Sequence, residues 1–238
     1  MTRFAWLLIA LVALFVAAAV AGLNREARQW FDVIEPVAYA GVMLAAVAAV
    51  STSRWGLAMG VLLCVPAVAV GVWSGIDGSR TAALAQGVLT LIFLAFVTVR
   101  IVLHLFQCDR VDADTLCAAA CAFLVAGVAW AAAYSVVYDL SPDAFRIEGP
   151  AGERSLSLSS RQSVHVLYFS FVTLTTLGYG DVIPLSAPAR VLAMLEASAG
   201  QLYLAVLVAR LVGLHLRPRT PGEQDDVLTG GEGDKEAT

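Results

Sequence analysis

Long apolar runs separated by short polar links make up most of the chain. Each of six runs approaches or exceeds the ~20 residues that a helix needs to cross a bilayer. The runs span residues 4–23, 33–50, 55–73, 81–99, 115–138 and 188–215. Helices and closed barrels are the structures that satisfy their backbone inside lipid, and runs of this length favour helices. The pattern therefore predicts an all-α membrane protein with six transmembrane helices.

Two of these runs carry a second interpretation. Ala19-Val20-Ala21 resembles a signal-peptidase site, so residues 1–21 are either a retained anchor, which the long apolar run favours, or a cleaved signal. In the fourth run, Arg100 and His104 lie on one helix face. There are two interpretations. Either these two residues are the remnant of a voltage sensor, or Arg100 snorkels to the headgroups and residues 103–110 lie along the interface. A single arginine near the end of the span favours the second interpretation.

The pattern changes between the fifth and sixth runs. Residues 139–162 are rich in turn-forming residues and predict a loop. Asp114 is the predicted N-cap of the fifth span, and Ser163 that of a helix over residues 164–175. This second helix is too short to cross a bilayer, so we expect it to re-enter.

A polar segment follows that short helix. Residues 173–181 are Thr-Leu-Thr-Thr-Leu-Gly-Tyr-Gly-Asp. Non-helical backbone at membrane depth is tolerated where protein buries it or where it lines a water-filled path. We therefore expect this segment to line such a path.

Composition agrees with the membrane class and narrows the function. The chain is 59% hydrophobic and 14% charged, against about 25% charged residues in soluble domains. Its net charge is −4 and it has no basic cluster, which argues against nucleic acid as a partner. It has no Gly-x-Ser-x-Gly, His-Glu-x-x-His or phosphate-loop motif, so we expect no enzyme activity. Cys117 and Cys121 lack two further ligands for zinc, and neither a cofactor nor a soluble ligand is predicted.

Residues 176–180 have the composition of an ion selectivity filter. A dehydrated potassium ion needs oxygens that replace its water, and rings of backbone carbonyls supply them. Aligned carbonyls require conformations that glycine enters at little steric cost, which explains Gly178 and Gly180. Tyr179 is predicted to point outward, and Thr176 to add a hydroxyl oxygen. One chain supplies a quarter of each ring, so a homotetramer is expected.

Residues 175–181 resemble the signature of potassium channels. The similarity extends over about residues 115–215, and residues 168–176 resemble the family's pore helix. The resemblance implies a fourfold pore in which backbone carbonyls and the Thr176 hydroxyl bind potassium. These carbonyls belong to Thr176, Leu177, Gly178 and Tyr179, and Gly180 completes the filter. It also implies that Thr175 and Asp181 support the filter from its two ends.

Three features depart from the family pattern. Leu177 stands where valine is commonest, which changes the packing behind the filter but keeps the coordinating carbonyl. Val172 stands where some relatives have a glutamate that pairs with the residue matching Asp181, so that pairing is absent here. Residues 217–238 are polar, expected to be disordered, and too few for the regulatory domain that many bacterial relatives carry.

The last run holds the candidates for gating and for the cavity wall. Gly200 matches the hinge glycine of the family's pore-lining helix, or it is a close-packing residue. Helical spacing puts Gln201, Leu204 and Val208 on one face, the predicted wall of the cavity.

Two charged residues in the last run also have alternative interpretations. Glu196 lies roughly opposite Gln201. It is a protonated or hydrogen-bonded carboxyl that grips the pore helix or the fifth span, or it is a proton-sensitive gating element. Arg210 either snorkels or pairs with the acidic link at residues 109–114.

The predictions divide the chain into three parts. Residues 1–110 form a four-helix membrane module, residues 111–216 a pore domain, and residues 217–238 a cytoplasmic tail. The predicted function is passive potassium-selective conduction across a cell membrane, without classical voltage gating. The alternatives are a weakly selective cation channel and a non-conducting scaffold or regulatory subunit.

Orientation and partners follow from the same predictions. Arginines divide evenly between the two sides, so the orientation, with both termini in the cytoplasm, rests on the resemblance. The expected partners are the lipid bilayer and further copies of the chain.

Overall fold

The computed structural model of the protein describes residues 3–23, 40–49, 54–108, 112–147 and 161–215. Within these residues the backbone forms seven α-helices, one 3-10 turn and a two-stranded ladder. The helices are α1 (Arg3–Leu23), α2 (Ala40–Ala49), α3 (Arg54–Asp77), α4 (Arg80–Gln107), α5 (Ala113–Leu140), α6 (Arg161–Leu174) and α7 (Ala187–His215). The 3-10 turn is Pro142–Ala144, and the strands are β1 (Phe145–Ile147) and β2 (Val182–Pro184).

Four helices contain stretches long and apolar enough to cross a membrane, namely α3, α4, α5 and α7. The described apolar stretches of α1, α2 and α6 are shorter, at Phe4–Val16, Ala40–Ala49 and Val164–Leu174. The prediction of a helical membrane protein is confirmed to this extent. The N-terminal part of the predicted second span, at 33–39, lies outside the described residues, as does the predicted tail at 217–238.

α3 and α4 are longer than predicted. α3 continues to Asp77 and stops before Gly78, whose φ of +63° is left-handed. Ser79 caps α4 by accepting a hydrogen bond from the Ala82 N–H at 3.3 Å. α4 continues as a helix through Gln107, and its buried face continues through Leu105. The prediction that residues 103–110 lie along the interface stays a prediction.

Two predicted helix caps are wrong. Asp112, not Asp114, caps α5, because its carboxylate accepts hydrogen bonds from the Thr115 hydroxyl at 2.7 Å and the Thr115 N–H at 2.8 Å. The hydroxyl bond, followed by the backbone bond, lowers the pKa of Asp112. α6 begins at Arg161, so Ser163 lies inside its first turn rather than before it.

α5 is the central helix and packs against α1, α4, α6 and α7. Small side chains allow membrane helices to approach closely. The buried alanines of α5 are Ala118, Ala119, Ala122, Ala129, Ala131, Ala132 and Ala133. At Gly127 a Cβ atom would lie 2.4 Å from Cζ of Phe171, so α6 packs directly onto the backbone of α5.

A short ladder joins the chain just after α5 to the chain just before α7. β1 and β2 are antiparallel, with Phe145 opposite Pro184 and Ile147 opposite Val182. The Leu185 N–H donates to the Ala144 carbonyl at 2.7 Å and extends the connection. The predicted loop at 139–162 is therefore wrong at its start, where α5 runs to Leu140 and is followed by the 3-10 turn and β1.

An aromatic cluster sits beside this ladder and joins α5, β1 and α6. The ring centroids of Tyr134 and Phe169 are 5.0 Å apart, and those of Tyr134 and Phe145 are 5.8 Å apart. Phe145 and Phe169 complete the triangle at 5.6 Å. All three pairs meet edge to face, an arrangement that contributes about 0.5–1.5 kcal/mol per pair beyond area burial. The cluster fixes α6 relative to α5 immediately before the polar segment.

Candidate functional site

The polar segment begins where α6 ends in a tight turn. The Thr175 N–H donates to the Phe171 carbonyl at 3.0 Å, and the Thr175 hydroxyl donates to the same oxygen at 2.7 Å. The Thr176 N–H donates to the Thr173 carbonyl and the Leu177 N–H to the Val172 carbonyl, both at 2.9 Å. These bonds satisfy carbonyls that a helix end leaves unpaired. Thr175 therefore lies at the junction between α6 and the polar segment. Its role in supporting the filter stays a prediction.

Left-handed backbone recurs at every second residue of the segment. Thr176, Gly178 and Gly180 have φ angles of +57°, +59° and +79°. A left-handed conformation costs an L-residue with a Cβ roughly 1–2 kcal/mol, whereas glycine adopts it freely. No atom lies within 4 Å of a Cβ built at Gly178 or Gly180, so the requirement for glycine is conformational rather than steric.

The side chains of the segment are exposed on a single chain. Leu177 is 56% exposed and Tyr179 66%. The outward direction of the Tyr179 side chain stays a prediction.

Gln201 and Thr176 are brought together by the packing of α6 against α7. Nε2 of Gln201 donates a hydrogen bond to Oγ1 of Thr176 at 3.0 Å. Leu204 and Val208, on the same predicted face, are 40% and 57% exposed. The predicted wall of the cavity therefore lies uncovered beside the polar segment.

Asp181 has a hydrogen-bond donor that the sequence did not reveal. The Tyr168 hydroxyl donates to Oδ2 of Asp181 at 2.8 Å, and the Val182 N–H donates to Oδ1 at 3.1 Å. Val172 offers no polar atom and is buried, so Tyr168 is the side chain that holds this carboxylate. The bond raises the pKa of Tyr168, because the phenol must keep its proton to donate.

Glu196 joins three helices in the buried space behind the segment. Its side chain is fully buried. Oε1 lies 2.5 Å from Oγ of Ser170 on α6, and Oε2 accepts a hydrogen bond from the Tyr134 hydroxyl of α5 at 2.5 Å. The structure thus brings Glu196 against both of the elements that the sequence offered as its partners. The proton-sensing alternative stays a prediction.

Gly200 lies where α7 crosses the end of α6. A Cβ atom built at Gly200 would lie 2.3 Å from the Leu174 carbonyl oxygen, a backbone atom that cannot yield locally. This distance favours the close-packing interpretation of Gly200. Its role as a hinge stays a prediction.

Arg210 contacts the end of α4, which neither interpretation of the sequence foresaw. Its Nη2 donates to the Cys108 carbonyl at 2.8 Å. Its guanidinium carbon lies 5.0 Å from the centroid of the Phe106 ring, within cation–π distance. The contact joins the C-terminal part of α7 to the C-cap of α4.

The comparisons with known proteins concern this half of the chain. A family model described as "Ion channel" matches residues 123–214, which include most of α5, all of α6, the polar segment and nearly all of α7. This match and the relative described next support the resemblance to the potassium-channel pore-domain family. The prediction made from residues 175–181 is thereby confirmed. The family is a family of ion channels, not of enzymes.

A curated relative points to the same family. Part of the chain is similar to two-pore potassium channel 4 of Arabidopsis thaliana, with 39% identity over 49 residues. The match covers 21% of this chain and 17% of the plant protein, so the similarity is local. No solved structure matches the chain significantly.

Proposed function

We propose that the protein is a potassium-selective channel that conducts passively through a pore built from four copies of the chain. The observation that carries the proposal is the left-handed backbone at Thr176, Gly178 and Gly180. It occurs in an exposed Thr-Leu-Gly-Tyr-Gly segment, inside the stretch that matches the ion-channel family.

The alternating backbone suits carbonyl coordination. In an ordinary extended segment successive carbonyls point to opposite sides, and a φ of opposite sign at every second residue turns them to one side. The carbonyls of Thr176, Leu177, Gly178 and Tyr179 then form successive oxygen layers, and the Thr176 hydroxyl adds one more. Such layers replace the hydration shell of potassium. In this proposal Gly180 ends the filter, and Thr175 and Asp181 hold its two ends.

A tetramer would bury the surface of α7 and the polar backbone that are exposed in a single chain. In the most apolar stretch of α7, 11% is buried, whereas 56% of the corresponding stretch of α5 is buried. The polar backbone of residues 176–180 also needs partners or water at membrane depth. Four copies around one axis would supply both, with Gln201, Leu204 and Val208 facing the cavity.

The proposed topology has six spans and a re-entrant α6. The 14 residues of α6 reach about 21 Å at 1.5 Å per residue, which is less than the ~30 Å of a bilayer core. The negative pole of its dipole lies at the Thr175 end and favours a cation there. α1 and α2 would complete the four-helix module of residues 1–110 beside a pore domain at 111–216. In this arrangement both termini are cytoplasmic and the protein lies in the cell membrane.

Flux through liposomes that contain the purified full chain tests the proposal. We expect potassium flux, a reversal potential in mixed salts that follows potassium rather than sodium, and four copies per particle by native mass measurement. Equal permeability would make the protein a weakly selective cation channel. Absence of flux would favour the scaffold or regulatory subunit.

Substitution of a filter glycine provides the matched test. Gly178→Ala forces a Cβ into a left-handed conformation at a cost of about 1–2 kcal/mol per copy, and we expect potassium flux to fall more than about tenfold. Gly213→Ala is the control, because Gly213 is helical and a Cβ there meets no atom within 4 Å. Equal flux in the Gly178→Ala variant and the unmodified protein would contradict the role of residues 176–180.

A further inference from the structure

If Glu196 is a carboxylate, the contacts of the Ser170 hydroxyl contain one proton too few. Oγ of Ser170 lies 2.7 Å from the Gly127 carbonyl oxygen and 2.5 Å from Oε1 of Glu196. A hydroxyl has one proton and a backbone carbonyl has none to give. The contact with Gly127 therefore uses the Ser170 proton, because two oxygens at that distance with no proton between them repel. The proton between Ser170 and Glu196 must then come from the carboxyl group.

The hydrogen bond at the second carboxyl oxygen of Glu196 agrees with a protonated carboxyl group. Tyr134 donates to Oε2 of Glu196 at 2.5 Å. The protons now form one directed chain from Tyr134 to Glu196, from Glu196 to Ser170, and from Ser170 to the Gly127 carbonyl. Each of the three side chains donates once, and no contact in the chain lacks a proton.

Within the part of the chain that the structure describes, no cation interacts with Glu196. Tyr134, Ser170 and Glu196 are all fully buried. Within the described residues the polar interactions of Glu196 are those with Ser170 from α6 and Tyr134 from α5. Tyr134 is the titratable group that faces it, and Phe145 and Phe169 pack around the Tyr134 ring. Burial of an unpaired charge costs several kcal/mol, so the neutral acid also agrees with the packing.

We propose that Glu196 is a neutral carboxylic acid at neutral pH, and that in this form it positions the pore helix α6 against α5 and α7. Ser170 precedes the polar segment by a few residues on the same helix, so the register of α6 sets where the filter begins. The positioning role rests on the proposed conduction, whereas the protonation state does not.

Ionisation would break the directed chain at a defined point. A carboxylate accepts and cannot donate, so the Ser170 hydroxyl would have to turn from the Gly127 carbonyl to Oε1 of Glu196. α6 would then lose its side-chain bond to the backbone of α5. The bonded arrangement is present at low and neutral pH and is lost as the pH rises through the titration of Glu196. We therefore expect potassium flux to fall at alkaline pH by about two- to tenfold, the effect of losing one buried hydrogen bond.

Infrared difference spectroscopy on the full-length protein in liposomes tests the protonation state without reference to conduction. At neutral pH we expect a C=O stretching band of a protonated carboxylic acid, identified by its absence from Glu196→Gln. Carboxylate bands should replace it at alkaline pH. Carboxylate bands from Glu196 already present at neutral pH would overturn the proposal. If the protonated band is present but no variant conducts at any pH, the protonation state stands and the proposed channel function fails.

The pH profile of flux tests the positioning role. Glu196→Gln keeps the directed chain, because its amide NH₂ donates to Ser170 and its oxygen accepts from Tyr134. We expect this variant to conduct normally at neutral pH and to lose the alkaline decline, and Glu196→Ala to conduct poorly at every pH. An alkaline decline of the same size in Glu196→Gln would overturn the role.

Two further variants separate Glu196 from its neighbours. Tyr134→Phe removes the other titratable group, and the alkaline decline should persist in it. Disappearance of the decline in that variant would assign the titration to Tyr134 and contradict the proposal. Ser135→Ala is the matched serine control, because the Ser135 hydroxyl bonds the Ala131 carbonyl of its own helix at 3.1 Å. Its pH profile should be that of the unmodified protein.

Discussion

At the scale of single residues, the bond between Tyr168 and Asp181 holds the end of the filter-like segment nearest β2. Asp181 accepts one bond from its neighbour Val182 and one from Tyr168 on α6. The second bond is the one that crosses from the segment to the helix. Tyr168 therefore takes the place of the carboxylate partner that Val172 cannot supply.

A double-mutant cycle on this pair gives a direct test. Tyr168→Phe removes the hydroxyl and keeps the ring, and Asp181→Asn removes the charge and keeps the shape. If the proposed filter is correct, we expect each substitution to lower the ratio of potassium to sodium permeability, because one end of the segment is held less firmly. The double variant should resemble the single ones, since groups in contact are not additive. Fully additive changes in the reversal potential would show that the bond does not couple the two residues.

Gly200 provides a test of packing against hinge motion. Gly200→Ala would press a methyl group onto the Leu174 carbonyl, and overpacking of this kind costs about 1–3 kcal/mol. We expect a lower thermal midpoint in detergent, followed by tryptophan fluorescence. Gly213→Ala, at an uncrowded helical position, should keep or raise the midpoint by the better helix propensity of alanine. Equal midpoints in the two variants would argue against close packing at Gly200.

These residue contacts could not be derived from the sequence, although the residues themselves could be singled out. The motif identifies Thr176 and Asp181, and Glu196 stands out as a charged residue within the last apolar run. Their partners, Gln201, Tyr168 and Tyr134, depend on how each helix rotates about its axis. That rotation is set by tertiary packing, such as the approach of Phe171 to Gly127. Glu196 is the intermediate case. Its position deep in the last apolar run was enough to predict a bonded carboxyl group, with the pore helix or the fifth span as its partner.

At the scale of elements, helices were predicted well because apolar length is a strong signal, and their ends were predicted less well. The cap of α5 illustrates the reason. Asp112 and Asp114 are both suitable cap residues, and the choice falls to Asp112 because the Thr115 side chain adds a second bond to it. β1 and β2 were missed because each has three residues, too few for an alternating pattern to appear.

The contact of Arg210 with α4 joins two elements that are distant in sequence. Arg210→Gln removes the charge from the Cys108 carbonyl and from the Phe106 ring. We expect a loss of about 1–2 kcal/mol in the free energy of unfolding, and partial retention in Arg210→Lys, which keeps the charge without the planar fork. Chemical unfolding in detergent measures both. If neither variant differed from the unmodified protein, the contact would contribute nothing to stability.

At the scale of the whole molecule, burial is uneven along the chain. Among the described residues, α5 packs against four helices, whereas α7 packs mainly against α5, α6 and β2, reaches the end of α4 through Arg210, and leaves most of its surface exposed. The filter-like segment and the face with Gln201, Leu204 and Val208 share that open side. The proposed assembly of four copies would cover this exposed side, and the copy number from native mass measurement tests it.

The ladder between β1 and β2 has a mechanical consequence. It fastens the start of α7, because the Leu185 N–H is bonded to the Ala144 carbonyl and Nε of Arg190 is bonded to the Pro184 carbonyl. The C-terminal half of α7 is held separately, because the Tyr203 hydroxyl donates to the Ala119 carbonyl of α5 at 2.7 Å. Any movement of that half away from α4 and α5 has to break this bond and also the bond from Arg210 to the Cys108 carbonyl.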